Sequence, residues 1–206
     1  MNKIKSFKSH ALVRHCLLVM VGMLCALPSW AFEVVVNGVK YEVNEQERKA
    51  VVVGLADKNS STVEIQGYVS GYLVSGIERY AFSDCSSLTS INIPSSVTSI
   101  GDWAFNGCSS LTSIIIPYSV TSIEYGAFNG CSSLTSINIS PSVTRIGERT
   151  FDGCSSLTSI DIPSSVTSIG DQAFSYCRSL TSINIPSSVT RIGERTFDGC
   201  SSLTSI

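Results

Sequence analysis

The sequence is poor in the residues on which most enzymes depend. Both of its histidines, His10 and His15, lie within the first 31 of 206 residues, and only 15% of all residues are charged. Histidine is the commonest general base, and Ser–His and Cys–His pairs cannot form without it. The remaining carboxylates, such as Asp161, form no cluster that resembles a catalytic site. We therefore predict a protein that is not an enzyme and that needs no cofactor or metal.

Long apolar runs are also missing after residue 31. Before that point, four basic residues precede an apolar run over residues 16–27, and small residues follow as far as Ala31. The run is shorter than the roughly 20 residues that span a bilayer. This order is typical of a secretory signal peptide. We predict that residues 1–31 are a signal peptide and that the chain is exported to the cell surface or the extracellular space; a retained anchor is the alternative.

Basic residues become scarcer once that segment is removed. The segment contains four basic residues, Lys3, Lys5, Lys8 and Arg14. Ten basic and sixteen acidic residues remain after its removal, so the formal charge is −6. No cluster of lysines or arginines remains. Nucleic acids and anionic membranes are therefore not expected as partners.

From Ile77 onward the chain repeats itself at a fixed interval of 23 residues. Isoleucines mark this interval at Ile77, Ile100, Ile123, Ile146, Ile169 and Ile192. A fixed period of this length is the signature of a solenoid, in which each coil buries its apolar face against its neighbours. We predict a repeat domain over residues 77–206, with five full repeats and a truncated sixth.

Each repeat contains the pattern of two strands and a turn. Ile91 and Ile93 are two positions apart, so a strand places both on one face, and Pro94 ends it. A second short strand is predicted over residues 97–100. The spacing of Ala104, Phe105 and Cys108 then favours a single helical or 3₁₀ turn. The fold predicted is a β-rich solenoid with a parallel strand ladder and short second strands.

One cysteine recurs in each repeat, and the set is Cys85, Cys108, Cys131, Cys154, Cys177 and Cys200. Small buried thiols behave as core residues. Parallel side chains on stacked coils would hold Cβ atoms about 4.8 Å apart, whereas disulfides prefer about 3.8 Å. We predict a reduced structural ladder, with inter-coil disulfides as the alternative. Single cysteines at this interval also lack the close ligand pairs of zinc sites.

Residues 32–76 do not follow the period. Asn37-Gly38 lies between two β-rich runs and predicts a two-residue hairpin turn. Further strands are predicted over residues 50–55, 62–65 and 68–74. The terminal unit of a solenoid must be atypical because its outer side has no neighbour. We interpret this segment as an N-terminal β cap; a separate small domain is the alternative.

The repeat resembles a known family. Its pattern is Ile-Gly-x-x-Ala-Phe-x-Gly-Cys-Ser-Ser-Leu-Thr-Ser-Ile-x-Ile-Pro-x-Ser-Val-Thr-Ser, which is similar to the BspA-like class of bacterial leucine-rich repeats. The resemblance covers residues 77–206 in detail. It implies an exported leucine-rich-repeat solenoid that is associated with attachment to host or partner cells, without implying one ligand.

Two sets of residues distinguish one coil from another. The first is the candidate binding face on the outer side of the long strands, where the variable column Asn92, Ile115, Asn138, Asp161 and Asn184 lies beside a constant serine column that begins at Ser90. The second is a candidate aromatic patch of Tyr80, Trp103, Tyr118 and Tyr125. Sheet faces of repeat proteins commonly bind partners, and aromatics are enriched at interfaces. We expect a protein or cell-surface ligand; a structural spacer without a ligand is the alternative.

The sixth repeat stops in the middle of its first strand. Residues 191–206 repeat residues 145–160 without a change. Because solenoids normally end in a capping unit, we expect a fragment of a longer protein, with a natural short product as the alternative. An uncapped coil that exposes Phe197, Leu203 and Ile206 also predicts end-to-end self-association.

Overall fold

The computed structural model describes residues 31–206. The predicted signal peptide therefore lies outside the described residues, apart from Ala31. Within the described range, no helix has the length and apolar character needed to cross a membrane.

An antiparallel hairpin opens the described chain. Strand β1 (Ala31–Val36) pairs with β2 (Val39–Asn44). The two residues between them both have positive φ, 50° at Asn37 and 80° at Gly38, which is the mirror-image turn that fits the twist of a hairpin. The predicted N-terminal hairpin is confirmed. Strand β3 (Lys49–Leu55) adds to β2 in antiparallel orientation.

The segment that leads into the first repeat contains one more turn than predicted. Strand β4 spans Thr62–Glu64, β5 spans Tyr68–Val69 and β6 spans Tyr72–Ile77. The single strand predicted over residues 68–74 is wrong, because Ser70 and Gly71 have φ values of 53° and 87° and reverse the chain. Strand β6 runs parallel to β3, so one sheet continues from the cap into the repeats.

Eight short strands form the repeats, and most of them join one sheet. They are β7 (Ser90–Asn92), β8 (Ser99–Ile100), β9 (Ser113–Ile115), β10 (Ser122–Ile123), β11 (Ser136–Asn138), β12 (Arg145–Ile146), β13 (Ser168–Ile169) and β14 (Arg191–Ile192). The ten-stranded sheet has the order β1-β2-β3-β6-β8-β10-β12-β13-β14, with β5 beside β6. Its repeat strands are parallel, so the predicted parallel ladder is confirmed.

The continuous ladder uses the second strand of each coil, which is the shorter one. First strands pair only as β4–β7 and β9–β11 in the part of the chain that the structure describes, with single bridges at Asp161–Asn184 and Ser182–Ser205. Coils lie further apart on that side at some steps: the distance from the Thr112 nitrogen to the Thr89 oxygen is 3.5 Å. The corresponding distance from Gly101 to Ile77 beside the continuous ladder is 2.9 Å.

The core consists of columns of like side chains. The phenylalanines stack in register from Phe82 to Phe197, with ring centroids between 5.2 and 5.8 Å apart. Five of the six are fully buried. The leucine, isoleucine and valine positions of most repeats are buried beside them, whereas Ile192 in the last coil is 47% exposed. Close packing of this kind makes each coil dependent on its neighbours.

The turn that closes each coil is not helical. In the second coil, the amides of Trp103, Phe105 and Gly107 donate to carbonyls of the next coil at 2.8 Å, while the amides between them donate three residues back. In a helical turn, every amide would donate to a carbonyl earlier in the same turn. The predicted helical or 3₁₀ turn is therefore wrong, because every second amide of the turn donates to the neighbouring coil. Trp103 and Gly107 accordingly have positive φ, 55° and 70°.

This left-handed geometry recurs in every coil. One position is occupied by Tyr80, Trp103, Gly126, Arg149, Gln172 and Arg195, and the second by Asp84, Gly107, Gly130, Gly153, Tyr176 and Gly199. L-residues other than glycine adopt such φ values at a cost of roughly 1–2 kcal/mol. The inter-coil hydrogen bonds offset this cost.

All six cysteines of the described chain are free thiols, and five of them are buried. Five of the thiols donate to a phenylalanine carbonyl of the preceding coil; in one case, Cys108 Sγ lies 3.1 Å from the Phe82 oxygen. Burial, partly offset by the backbone hydrogen bond at Cys108, raises the pKa of the Cys131 thiol to about 12. We therefore expect these thiols to be poor nucleophiles.

We expect the native protein to resist thiol reagents at pH 8. A rise in pKa from 9.0 to about 12 lowers the thiolate fraction of Cys131 about a thousandfold, and thiolate is the reactive form. Cys200 is only partly buried and should react first. Labelling with a chromogenic disulfide, before and after denaturation without reductant, measures this. Fewer than six reactive thiols in the denatured mature chain would contradict a reduced ladder.

Candidate binding face

The predicted column lies on the solvent side of the first strands. In β7, β9 and β11 the strand geometry turns the middle isoleucines inward and the flanking residues outward. Ser90, Asn92, Ile115, Asn138, Asp161 and Asn184 are all exposed. Their backbones are in register where neighbouring coils pair, as at Ile115–Asn138 and Asp161–Asn184. We call this column the strand face.

The cap extends the strand face by one more residue. Glu64 pairs in register with Asn92, and its side chain is exposed. The sequence pattern missed Glu64 because the cap strand lies 28 residues before its partner, whereas successive coils are 23 residues apart. Only the pairing of β4 with β7 shows that Glu64 belongs to the strand face. With Asp161, the face carries two carboxylates among amides and hydroxyls, which accept and donate hydrogen bonds.

One coil interrupts this polar face with two large apolar side chains. Ile115 is 71% exposed and Tyr118 is 77% exposed. In the other coils the position of Ile115 holds Asn or Asp, and that of Tyr118 holds Ser or Pro. Neither residue contributes to the core, so packing does not explain them.

The cap adds a second exposed aromatic at the same end of the first strands. Tyr68 is 68% exposed. The preceding Gly67 lies close to the turn after β7, since a Cβ on it would be 3.7 Å from the Ser96 hydroxyl and 3.8 Å from Pro94. Tyr118 occupies the equivalent turn one coil further on. Sequence reasoning missed Tyr68 because the cap does not follow the repeat pattern.

The four residues of the predicted aromatic patch do not all come together. The rings of Trp103 and Tyr125 meet edge to face with centroids 4.8 Å apart. Tyr80 lies in the coil before Trp103, where the Arg79 guanidinium sits 4.7 Å from its ring centroid. Tyr118 makes no ring contact within residues 31–206 and belongs to the turn after β9.

The Trp103 side chain packs against the next coil and does not project away from it. A Cβ on Gly126 would lie 2.5 to 2.8 Å from three atoms of the Trp103 indole. Tyr176 covers Gly199 in the same way, at 2.6 Å. An aromatic at a left-handed position therefore packs on a glycine at the equivalent position one coil later. These contacts give Trp103 and Tyr176 a structural role, whereas Tyr118 has no such contact.

Comparison with known proteins gives the same architecture. Residues 75–204 match the family model described as a BspA type leucine rich repeat region, in six copies. Among solved structures, the T. pallidum leucine rich repeat protein is 28% identical with a TM-score of 0.70, and the match covers 84% of this chain and 91% of that chain. A search of curated proteins finds no match.

Two longer structures are also similar. A leucine rich cell surface protein from Faecalibacterium prausnitzii is 29% identical with a TM-score of 0.66. A leucine-rich repeat protein from Eubacterium ventriosum is 27% identical with a TM-score of 0.68. Each match covers 84% of this chain, but only 54% and 51% of those two proteins. The chain thus spans about half of their length.

Proposed function

The chain belongs to the family of BspA-type leucine-rich repeat proteins, and on that premise we propose that it is an exported, non-enzymatic surface protein that binds another protein through the strand face. Its role would be adhesion to host or partner cells. The similar protein of F. prausnitzii is described as a cell surface protein, which supports this location. The apolar segment at residues 16–27, with basic residues before it, supports export.

The observation that carries the proposal is the exposure of Ile115 and Tyr118. Apart from Ile206, these two are the most exposed large hydrophobic residues of residues 31–206. Binding energy at interfaces concentrates in a few anchors, and tyrosine is enriched among them. Large aromatic and aliphatic side chains release the most free energy when a partner covers them.

The polar members of the strand face complement these anchors. Asn92 lies one coil before Ile115, and Asn138 lies one coil after it. Their amides can each donate and accept hydrogen bonds at the rim of an apolar contact. Because neighbouring coils are about 4.8 Å apart, a partner that lies along the solenoid would meet one such group per coil. Many weak contacts of this kind give strength by avidity.

The test restores the repeat pattern at the anchors. The double variant Ile115→Asn, Tyr118→Ser introduces the residues that neighbouring coils carry, so we expect it to fold normally. Its matched control, Tyr176→Gly, also removes an exposed aromatic and restores the pattern, but lies off the strand face. Binding of the mature chain to an array of purified extracellular-matrix and serum proteins is measured by biolayer interferometry.

We expect at least one protein of the array to bind, with affinity at least tenfold weaker for the double variant and unchanged for the control. The triple variant Asn92→Lys, Asn138→Lys, Asp161→Lys should also lose affinity because it reverses the charge of the face. Equal binding by all variants would remove the strand face from consideration. No binding by any form would favour a structural spacer.

A further inference from the structure

A second set of unusual residues lies on the continuous sheet, away from the strand face. A cleft of about 200 Å³ opens there, lined by Arg145, Glu148, Ser168, Ile169, Gly170, Asp171 and Arg191. It contains two arginines, both exposed. The corresponding residues of earlier coils are Gly76, Ser99 and Ser122, so the sheet is uncharged at this position until β12.

The two arginines are held in register on either side of a serine. Arg145 pairs with Ser168 in the parallel ladder, and Ser168 pairs with Arg191. Each step is about 4.8 Å, so the two arginine Cα atoms lie about 10 Å apart. Side chains on the same face of neighbouring strands point the same way. Two guanidinium groups therefore flank one hydroxyl.

The two acidic residues of the cleft contact other groups than its two arginines. Asp171 accepts a hydrogen bond from the Glu194 amide, with 2.9 Å between Oδ1 and the nitrogen. Glu148 lies 4.0 Å from the Nε of Arg149, in the one ion pair found within residues 31–206. Neither Arg145 nor Arg191 has a carboxylate within 4.0 Å in that range. The positive groups of the cleft are thus the ones left to meet a ligand.

Backbone forms the floor of the cleft between the arginines. Gly170 carries no side chain there, and a Cβ on it would lie 2.5 Å from the Glu148 nitrogen. Its amide donates to the Ile146 carbonyl at 2.9 Å, which holds the neighbouring coils together. Gly170 therefore adds no side chain to the lining of the cleft between Arg145 and Arg191.

We propose that this cleft binds an acidic segment of a partner polypeptide through two carboxylates, one on Arg145 and one on Arg191. Guanidinium groups form paired, charge-assisted hydrogen bonds with carboxylates. Two side chains three residues apart in a polyproline II peptide lie on the same face and about 9 Å apart, which is close to the spacing of the arginines. The Ser168 hydroxyl lies between them, where it meets the peptide backbone.

The surrounding charge disfavours a dense polyanion in this cleft. Glu148 and Asp171 line it, and residues 32–206 carry a formal charge of −6 from ten basic and sixteen acidic residues. A sulfated glycan or a nucleic acid would bring many negative charges against these groups. A peptide with two carboxylates brings only the charge that the arginines neutralise. The cleft is thus suited to a short acidic motif and is independent of the anchors at Ile115 and Tyr118.

The test uses labelled peptides and three serine variants. The probe is a proline-rich peptide of polyproline II conformation with two glutamates three residues apart; the comparison peptides carry two glutamines, or two adjacent glutamates. Arg145→Ser and Arg191→Ser introduce the residue that other coils carry. Arg178→Ser removes an exposed arginine from outside the cleft and also restores the repeat pattern, so it is the matched charge control. Fluorescence anisotropy at low salt measures binding to the mature chain.

We expect the spaced-glutamate peptide to bind at least tenfold better than either comparison peptide. Arg145→Ser and Arg191→Ser should each weaken it at least tenfold, while Arg178→Ser and the Ile115→Asn, Tyr118→Ser variant leave it unchanged. Circular dichroism verifies that every variant is folded. Absence of binding, an equal loss with Arg178→Ser, or preference for a sulfated or uronate-containing oligosaccharide over the peptide would overturn the proposal.

Discussion

Replacement of Phe128 by alanine should lower the free energy of unfolding by about 4 kcal/mol. Phe128 is fully buried, and its ring stacks on both neighbours, at 5.2 Å from Phe105 and 5.7 Å from Phe151. The substitution leaves a cavity in the middle of the column and removes two ring contacts at once. Since domains of this size are stable by about 5–15 kcal/mol, much of the stability would be lost. Urea denaturation followed by circular dichroism measures the change.

Phe197→Ala is the matched control for this prediction. Phe197 is only partly buried and stacks on one ring, that of Phe174, at 5.8 Å. The same chemical change at this position should cost less than half as much, because less surface returns to water and no closed cavity forms. Equal losses for the two variants would contradict a stacked core whose strength depends on neighbours on both sides.

The second large effect is expected at Gly126. An alanine there must adopt a φ near 60°, and its Cβ would meet the Trp103 indole at 2.5 Å. The left-handed conformation costs roughly 1–2 kcal/mol, and overpacking adds about 1–3 kcal/mol. We therefore expect Gly126→Ala to destabilise the protein by about 3 kcal/mol, measured by the same denaturation experiment.

Two further variants separate the backbone cost from the steric cost. Gly130 has a φ of 68°, but a Cβ there would meet nothing closer than 3.7 Å, so Gly130→Ala should show only the backbone cost. Introducing Gly126→Ala into a Trp103→Gln background should likewise cost only about 1–2 kcal/mol, because the indole is gone. If the cost of Gly126→Ala were the same with and without Trp103, the packing of Trp103 on Gly126 would be refuted.

The order of the core could be predicted because it depends on local spacing. Ile91 and Ile93 lie two positions apart, and Phe105 recurs in every coil, so the sequence alone identifies the residues that turn inward. The hairpin at Asn37-Gly38 is equally clear, because few residues other than Asn and Gly adopt both positive φ values. The turn at Ser70-Gly71 carries a weaker form of the same signal and is hidden within an apparently continuous strand.

The closing turns could not be predicted from local spacing. Ala104, Phe105 and Cys108 have the spacing of a helical turn, yet the amide of Trp103 donates to Tyr125 in the next coil. A pattern within one coil does not reveal how many hydrogen bonds its neighbour will accept. Tertiary contacts therefore override local preference, and residues as large as Trp103 adopt a left-handed backbone.

The candidate site could be predicted only in part, for the same reason. Asn92 and Ile115 belong on an outer face because strand residues alternate. Glu64 and Tyr68 escape the pattern, since the cap pairs with the first coil over a longer interval than the one that separates the coils. The pairing of Trp103 with Tyr125, and the separation of Tyr118 from both, depend on which side of the coil each turn occupies.

The hydrogen bonds that run from one closing turn to the next also determine how the molecule bears a load. They point along the axis of the solenoid, so tension applied along that axis pulls on the few bonds of one outermost coil at a time. Each coil that detaches releases one repeat, which is about 75–80 Å of extended chain, while the coils behind it keep their structure. A pulled molecule would thus lengthen in discrete steps and absorb mechanical work at each of them.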